Sequence, residues 1–204
     1  MVRPVDITRS PDAPTDEIRS LPQRGSGVLQ WLGTFVLKIM RWRIDNTLPS
    51  IPKAVVIVAP HTSNWDFVLG LAAALALDVD AHWIGKHTIF RWPFGRLMRW
   101  LGGIPVNRQA TSGFVEQVVE RFNQSDQLVL GIAPEGTRRK VQRWKSGFYH
   151  IAAGAKIPIV CAYLDYQSRV VGLGLNLMPT GNFETDLAVI QDFYAPYKGK
   201  RSSD

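Results

Sequence analysis

The strongest constraint on this chain is a run of mostly β-branched residues that stands between two prolines and leads directly into polar residues. Residues 54–59 are Ala-Val-Val-Ile-Val-Ala, and Pro60 separates them from His61. A continuous apolar run of this length predicts a strand that is buried on both faces, as in the parallel sheet of an α/β protein. We expect His61 to follow the carboxyl end of this strand, where ligands bind in such sheets.

The residues after His61 predict the start of a helix and allow two interpretations of Asp66. Ser63 and Asp66 stand three positions apart before an apolar run, as in a capping box, so a helix should begin near Asn64. In the first interpretation, His61 is an ordinary loop residue and Asp66 only accepts a hydrogen bond from the Ser63 amide. In the second, Asp66 also accepts one from the imidazole, whose other nitrogen then serves as a base for a substrate hydroxyl.

Length and charge limit the possible architectures and partners. A chain of 204 residues with 46% hydrophobic content can bury the core of one catalytic domain. The formal net charge of +7 favours an anionic partner, which could be nucleic acid, a phosphate-bearing substrate or an acidic membrane surface. The single cysteine, Cys161, lies in an apolar run and is expected in the core. The first residues lack the apolar segment of a signal peptide, so we expect a cytoplasmic protein.

The first 45 residues predict a flexible tail followed by an amphipathic helix. Residues 1–26 contain four prolines and few large apolar side chains, which is typical of a tail. Residues 27–45 have apolar positions at helical spacing and basic residues near their end. These apolar positions are Val28, Leu32, Phe35, Val36, Ile39 and Met40. Such a helix can pack on the core, lie on an anionic membrane surface, or do both, but it is too short and too polar to cross a bilayer.

Later segments predict the rest of one domain. Further strands are expected at residues 81–85, 104–106, 128–132, 157–163 and 169–177, with the last as an antiparallel edge strand. Helices are expected at residues 67–77, 112–123 and 186–194, together with one that Gly154 ends. Residues 46–198 should therefore form an α/β domain with a mostly parallel central sheet and helices on both faces, and residues 199–204 should fray. Residues 90–100 alternate aromatic side chains with arginines, which suits a surface at a membrane interface as much as a core helix.

Polar residues follow other predicted strands as well. Lys86 comes directly after residues 81–85, and Arg108 comes two positions after residues 104–106. The run 128–132 leads into Ala-Pro-Glu-Gly-Thr-Arg-Arg-Lys. A guanidinium has a planar fork of donors that matches a phosphate, although an isolated arginine equally suits a surface ion pair.

Four sequence blocks together resemble a known family. They are His61-Thr-Ser-Asn-Trp-Asp66, Gly103-Ile-Pro-Val-Asn-Arg108, Pro134-Glu-Gly-Thr-Arg138 and Ile157-Pro-Ile-Val160. In this order and approximate spacing they resemble the blocks of the glycerolipid acyltransferase family, typified by bacterial 1-acylglycerol-3-phosphate acyltransferase. The resemblance covers about residues 50–180.

The resemblance implies a reaction and a place for it. A fatty acyl group would move from a thioester, acyl-CoA or acyl-carrier protein, to the free hydroxyl of a lysophospholipid. The first candidate acceptor is 1-acylglycerol-3-phosphate, which gives phosphatidic acid. The amphipathic helix and residues 92–100 are expected to form one surface beside the site that associates peripherally with the cytoplasmic membrane. We expect the site at the carboxyl ends of the strands, with His61 and Glu135 within about 10 Å of each other, as a pocket-sized site requires.

The resemblance also implies roles for individual residues. His61 is implied as the general base, and Asp66 as the residue that holds its tautomer and orientation. The implied ligands of the acceptor's glycerol phosphate are Arg108, Glu135, Gly136 and Thr137. Lys86 and Arg138 are expected to add positive charge there, and Pro158 to line the acyl side. No metal is implied, and the thioester is a co-substrate instead of a resident cofactor.

The sequence also allows other acceptors and other classes of protein. The third block has Ala133 where the family often has phenylalanine, so a phosphate-free or amino-acid-containing lysolipid is a second candidate acceptor. A nucleic-acid-binding protein would explain the charge, but no helix-turn-helix, zinc or RNA-binding motif is present. A metal-dependent hydrolase would explain His61 and Asp66, but the other histidines show no ligand pattern.

Overall fold

The computed structural model describes residues 21–45, 48–106, 113–138, 141 and 143–201, and a seven-stranded sheet forms their centre. The strands are β1 (Arg43–Asp45), β2 (Lys53–Ala59), β3 (Ala81–Lys86), β4 (Gly103–Val106), β5 (Leu128–Ile132), β6 (Ile159–Asp165) and β7 (Val170–Leu177). The helices are α1 (Gly27–Ile39), α2 (Trp65–Ala76), α3 (Gly95–Trp100), α4 (Phe114–Gln124), α5 (Gly147–Ala155) and α6 (Phe183–Tyr194). A short 3₁₀ helix, His87–Phe90, follows β3.

The order of the strands confirms the predicted class of sheet. It is β1-β7-β6-β2-β5-β3-β4, and β2 lies in the middle. Neighbouring strands pair in parallel, except for β6 and β7, which are antiparallel. The sequence predicts β7 at the edge, and this is wrong, because β1 pairs with β7 in parallel and lies outside it.

Helices cover both faces of the sheet, as predicted. Val55, Ile57 and Ala59 of β2 belong to a core cluster with side chains of α4, α5 and α6. The alternate residue Val58 packs instead in the cluster that contains side chains of α1 and α2. Successive side chains of a strand point to opposite faces, so the run of apolar residues in β2 reflects burial on both sides.

The helix α1 is shorter than the predicted 27–45. It ends at Ile39, and residues 43–45 form β1, so the prediction is wrong for that part. It packs closely on α2 through Gly33, where a Cβ atom would lie 2.5 Å from the Ala72 carbonyl oxygen and 2.6 Å from the Ala76 nitrogen. Together with Leu37, Gly33 is buried on this side of the helix. The glycine therefore lets the two helix backbones approach each other.

The outer face of α1 is also apolar. Its exposed large side chains are Val28, Trp31, Leu32, Phe35 and Ile39. The apolar positions of the helix thus form two faces instead of the single predicted stripe. One face packs on α2, and the other is exposed. None of the described helices is long and apolar enough to cross a membrane.

Helix α5 does not end at Gly154, contrary to the prediction. It continues to Ala155, and Lys156 adopts the left-handed conformation, with φ 54°, that ends it. A Cβ atom at position 154 would lie 2.9 Å from Val119 Cγ2 of α4. The glycine therefore serves the close packing of α4 and α5 and does not cap the helix.

Part of the predicted flexible tail is attached to the domain. Leu21 is buried, and the Arg24 side chain pairs with Asp80 at 3.1 Å. The prediction of a tail over 1–26 is therefore wrong for residues 21–26. Residues 1–20 lie outside the described residues.

Candidate active site

Several parallel strands end at one edge of the sheet, and predicted site residues follow them. His61 comes two residues after the end of β2, and Pro134 comes two residues after the end of β5. Lys86 is the last residue of β3. Since Trp83 of β3 pairs with Gly131 of β5, the same register continued by three residues places Lys86 level with Pro134.

Asp66 accepts hydrogen bonds from several sides at this edge. The residue is 2% exposed. Its Oδ2 accepts hydrogen bonds from the backbone N–H groups of Thr62 and Ser63, both at 2.7 Å, and lies 3.3 Å from Nδ1 of His61. Its Oδ1 accepts a hydrogen bond from the Tyr166 hydroxyl at 2.5 Å. Both carboxylate oxygens are therefore held by protein groups.

These donors stabilise the ionised form of Asp66. Burial alone raises the pKa of this carboxyl, but hydrogen bonds from His61, Tyr166 and the Ser63 amide outweigh burial and bring the pKa below its ordinary value of 3.8. A carboxylate that faces Nδ1 favours the tautomer with the proton on Nδ1. The lone pair of Nε2 is then available for a proton from a substrate.

The two interpretations of Asp66 turn out to be compatible. The Asp66 side chain bonds to the Ser63 amide, as a capping box requires. Ser63 does not complete the box in the expected way, because its Oγ accepts a hydrogen bond from the Trp65 N–H at 3.2 Å. The helix α2 begins at Trp65, one residue after the predicted start. The same carboxylate caps the loop and contacts the imidazole.

A second carboxylate holds the backbone of His61. Glu135 Oε1 accepts a hydrogen bond from the His61 N–H at 2.9 Å, so the expected proximity of the two residues is observed. Burial raises the pKa of Glu135, and the hydrogen bond from His61 opposes part of the rise. One oxygen of Glu135 therefore fixes the position of His61 in the loop.

The turn after β5 contacts the His61 loop at a second point. The Arg138 guanidinium donates a hydrogen bond to Oδ1 of Asn64. Gly136 has φ 64°, a left-handed backbone conformation that favours glycine, and the end of the Lys145 side chain lies over it. Thr137 lies half-buried between Gly136 and Arg138.

The structure does not bring Pro158 beside His61. The Pro158 carbonyl accepts a hydrogen bond from the Val55 N–H at 3.1 Å, at the amino end of β2. Val55 and His61 are six positions apart, which corresponds to about 20 Å at about 3.3 Å per residue. Any contact of Pro158 with substrate is therefore far from the reacting atoms. Arg108 lies outside the described residues.

Sequence reasoning misses Tyr166 as a site residue. It directly follows β6, which extends two residues beyond the predicted strand 157–163, so the search for polar residues after predicted strands does not reach it. Its ring packs edge-on against Trp42, with centroids 4.8 Å apart. Burial and the hydrogen bond to Asp66 raise the pKa of Tyr166 above its ordinary value, so the hydroxyl keeps its proton and acts as a donor.

Sequence reasoning also misses residues 197–201, called the strap below. The Arg201 N–H donates a hydrogen bond to Oγ1 of Thr62 at 3.4 Å, next to His61. The predicted fraying of 199–204 is therefore wrong for the part up to Arg201, and residues 202–204 lie outside the described residues.

A cavity of about 520 Å³ lies near the start of α5 and α6, and Trp144, Lys145, Phe183 and Leu187 are among its lining residues. It adjoins the turn after β5, where the Lys145 N–H donates a hydrogen bond to the Pro134 carbonyl at 2.9 Å, but His61 does not line it. The lining contains no histidine. Among the described residues, no group of three or more histidine, cysteine or acidic side chains could hold a metal ion.

Comparison with known proteins concerns the family and the fold of the chain. A family model described as Acyltransferase matches residues 41–165. No curated protein matches the chain by sequence. Among solved structures, the 1-acyl-sn-glycerophosphate (LPA) acyltransferase PlsC from Thermotoga maritima is similar, with a TM-score of 0.56 and 14% identity over 84% of this chain and 80% of that chain. At this level of identity, the likeness concerns the fold.

Replacement of Tyr166 by phenylalanine tests the hydrogen bond to Asp66. The variant keeps the ring against Trp42 but loses the donor, so the free energy of unfolding at pH 7 should fall by about 1.5–3 kcal/mol, the range for hydrogen bonds to charged groups. The pKa of Asp66 in the folded protein lies below 3.8. The full destabilisation should therefore be seen above pH 3.8, and it should diminish as the pH falls through the folded pKa and Asp66 becomes protonated. Urea unfolding of the wild-type protein and the variant, above and below pH 3.8, measures this destabilisation.

A matched control is Tyr197→Phe, which removes the same hydroxyl from a ring that stacks on Tyr163. We expect a change within about 0.5 kcal/mol for this variant. An equal destabilisation by Tyr166→Phe at both pH values would contradict a bond to ionised Asp66.

Proposed function

The chain belongs to the Acyltransferase family and is therefore an acyltransferase, and we propose that it transfers a fatty acyl group from acyl-CoA or acyl-carrier protein to the free hydroxyl of a lysophospholipid. The proposed acceptor is 1-acylglycerol-3-phosphate, and the product is phosphatidic acid. The observation that carries this proposal is the contact between Nδ1 of His61 and the buried carboxylate of Asp66, 3.3 Å apart.

In the proposed mechanism, His61 acts on the acceptor hydroxyl. Nε2 takes the hydroxyl proton while the oxygen attacks the thioester carbonyl carbon. The tetrahedral intermediate collapses, the carbon–sulfur bond breaks, and the leaving thiolate takes the proton from the imidazolium. An ester and a free thiol result. Asp66 stabilises the imidazolium and keeps its own charge throughout. The His61 side chain is 23% exposed, which leaves it accessible to a substrate.

The acceptor phosphate would be bound by cations at the strand ends. Lys86 and Arg138 are both exposed and lie at this edge of the sheet, and Arg108, Gly136 and Thr137 remain predicted ligands. The carboxylate of Glu135 repels a phosphate, and its bond to the His61 backbone supports a positioning role for it. If the cations are not needed for acceptor binding, a phosphate-free lysolipid is the better candidate.

We also propose that the protein associates with a membrane through an apolar surface beside the site. The start of α1 adjoins the end of α3, because Arg24, which precedes α1, lies over the Trp100 ring at 5.8 Å and donates a hydrogen bond to the Trp100 carbonyl at 3.3 Å. Trp92 is 93% exposed and Ile39 is 65% exposed. Each methylene of a lipid that enters water costs about 0.8 kcal/mol, so docking at the bilayer favours transfer of a long-chain acceptor.

The transfer reaction is tested with purified protein, acyl-CoA and 1-acylglycerol-3-phosphate, by thiol release and mass spectrometry of the lipid. His61→Ala should lower kcat by about 10²–10⁴-fold, as expected for a lost general base, with little change in the acceptor KM. The control His150→Ala removes an exposed histidine of α5 and should leave kcat unchanged. Thiol release without an acceptor would indicate a thioesterase, and near-normal turnover by His61→Ala would refute the mechanism.

Membrane docking is tested by liposome co-sedimentation of a Phe35→Asp/Ile39→Asp variant. Binding should weaken by about tenfold or more, because withdrawing one large apolar side chain from a nonpolar environment costs about 1.5–3 kcal/mol. The control Val189→Asp/Gln191→Asp adds the same two charges to exposed positions of α6, on the opposite face of the sheet, and should bind normally. Equal binding by all three proteins would show that the face does not dock.

A further inference from the structure

The strap crosses the loop that carries His61. After α6, the Tyr197 ring stacks on the Tyr163 ring, with centroids 4.1 Å apart and planes inclined by 13°. The Lys198 carbonyl then accepts a hydrogen bond from the backbone N–H of Tyr166 at 3.1 Å. The same tyrosine binds the carboxylate beside the catalytic imidazole, so the course of the strap is tied to the site.

The strap lies in close contact with the His61 loop. A Cβ atom at Gly199 would lie 2.6 Å from Cγ2 and 2.7 Å from Oγ1 of Thr62. No side chain larger than glycine fits there without a shift. The Arg201 N–H donates a hydrogen bond to the same threonine. The two contacts hold the residue between them, Lys200, next to the loop.

Two positively charged side chains consequently lie beside adjacent residues of this loop. Lys200 Nζ lies 5.1 Å from the ring centroid of Trp65. Arg138 reaches Asn64, the neighbouring residue, from the turn after β5. In the part of the chain that the structure describes, no carboxylate forms an ion pair with Arg138, Lys200 or Arg201. Their charges are available to an anionic ligand.

We propose that Lys200 and Arg201 of the strap, together with Arg138, bind a phosphate group of a substrate at the mouth of the active site. This rests on the proposed function, since it assigns a phosphate-bearing substrate to the same site. The shared chemistry is a phosphate monoester. It is present on the glycerol phosphate of the acceptor and on the nucleotide portion of CoA.

The contacts of the strap hold these cations in place before a phosphate binds. A free lysine loses much of its conformational freedom when it binds an ion. Here the indole of Trp65 already attracts the ammonium through its electron-rich face, and the backbone on both sides of Lys200 is held by Thr62. Preorganisation of this kind lowers the entropy lost on binding. The guanidinium of Arg201 adds a planar fork of donors.

The test is an NMR titration of the whole protein with two probes, glycerol 3-phosphate and CoA. Lys200→Gln should weaken binding of the recognised probe by about fivefold, the loss expected for one exposed charge pair, and Lys200→Arg should restore most of it. The matched control is Lys156→Asn, which removes one charge from the opposite end of the sheet, where asparagine tolerates the left-handed backbone of φ 54°.

Each outcome decides the proposal. A loss for glycerol 3-phosphate assigns the acceptor phosphate to the strap, and a loss for CoA assigns the donor phosphate. The proposal is overturned if neither probe binds the wild-type protein, if Lys200→Gln binds both probes normally, or if Lys156→Asn weakens binding equally, since net charge would then suffice. No acyl transfer is measured, so failure here is distinguishable from failure of the proposed reaction.

Discussion

The arrangement of the site depends on a buried negative charge. An ionised carboxylate that leaves water loses several kcal/mol of hydration unless donors replace the water. Asp66 has two backbone amides, the Tyr166 hydroxyl and the His61 imidazole in that role. These groups belong to the loop after β2 and to the end of β6, which are neighbouring strands of the sheet. The position of the imidazole is therefore a consequence of satisfying the carboxylate.

Further contacts add to this arrangement from other elements. Glu135 holds the backbone of His61 from the turn after β5, and the strap contacts the neighbouring residue Thr62. The loop that carries the proposed base is consequently bounded by the ends of three strands and by a segment after the last helix. A rigid frame of this kind reduces the reorganisation that a proton transfer requires. The apolar outer face of α1 lies on the helix layer that includes α2, whose first turn contains Asp66.

The predictable features are those with a local signal. The apolar run of β2, the spacing of His61 and Asp66, and the polar turn around Glu135 are each visible within a few residues. Tyr166 lies 100 positions from Asp66, and their contact depends on β6 being beside β2, which no local pattern states. The strand β1 has three residues, too few for a periodic signal. The left-handed turn of Lys156 occurs without a glycine, so a search for glycine caps misplaces the end of α5.

The central claim, that charged Asp66 orients His61 for proton transfer, is tested most directly by the kcat of Asp66→Asn in the acyl-transfer assay. Asparagine keeps the shape of the side chain and an oxygen that can accept hydrogen bonds from Thr62 and Ser63, but it lacks the charge beside the imidazole. We predict a folded protein whose kcat is lower by about 10- to 100-fold, a milder effect than loss of the base itself. A folded Asp66→Asn protein with the wild-type kcat would contradict the claim.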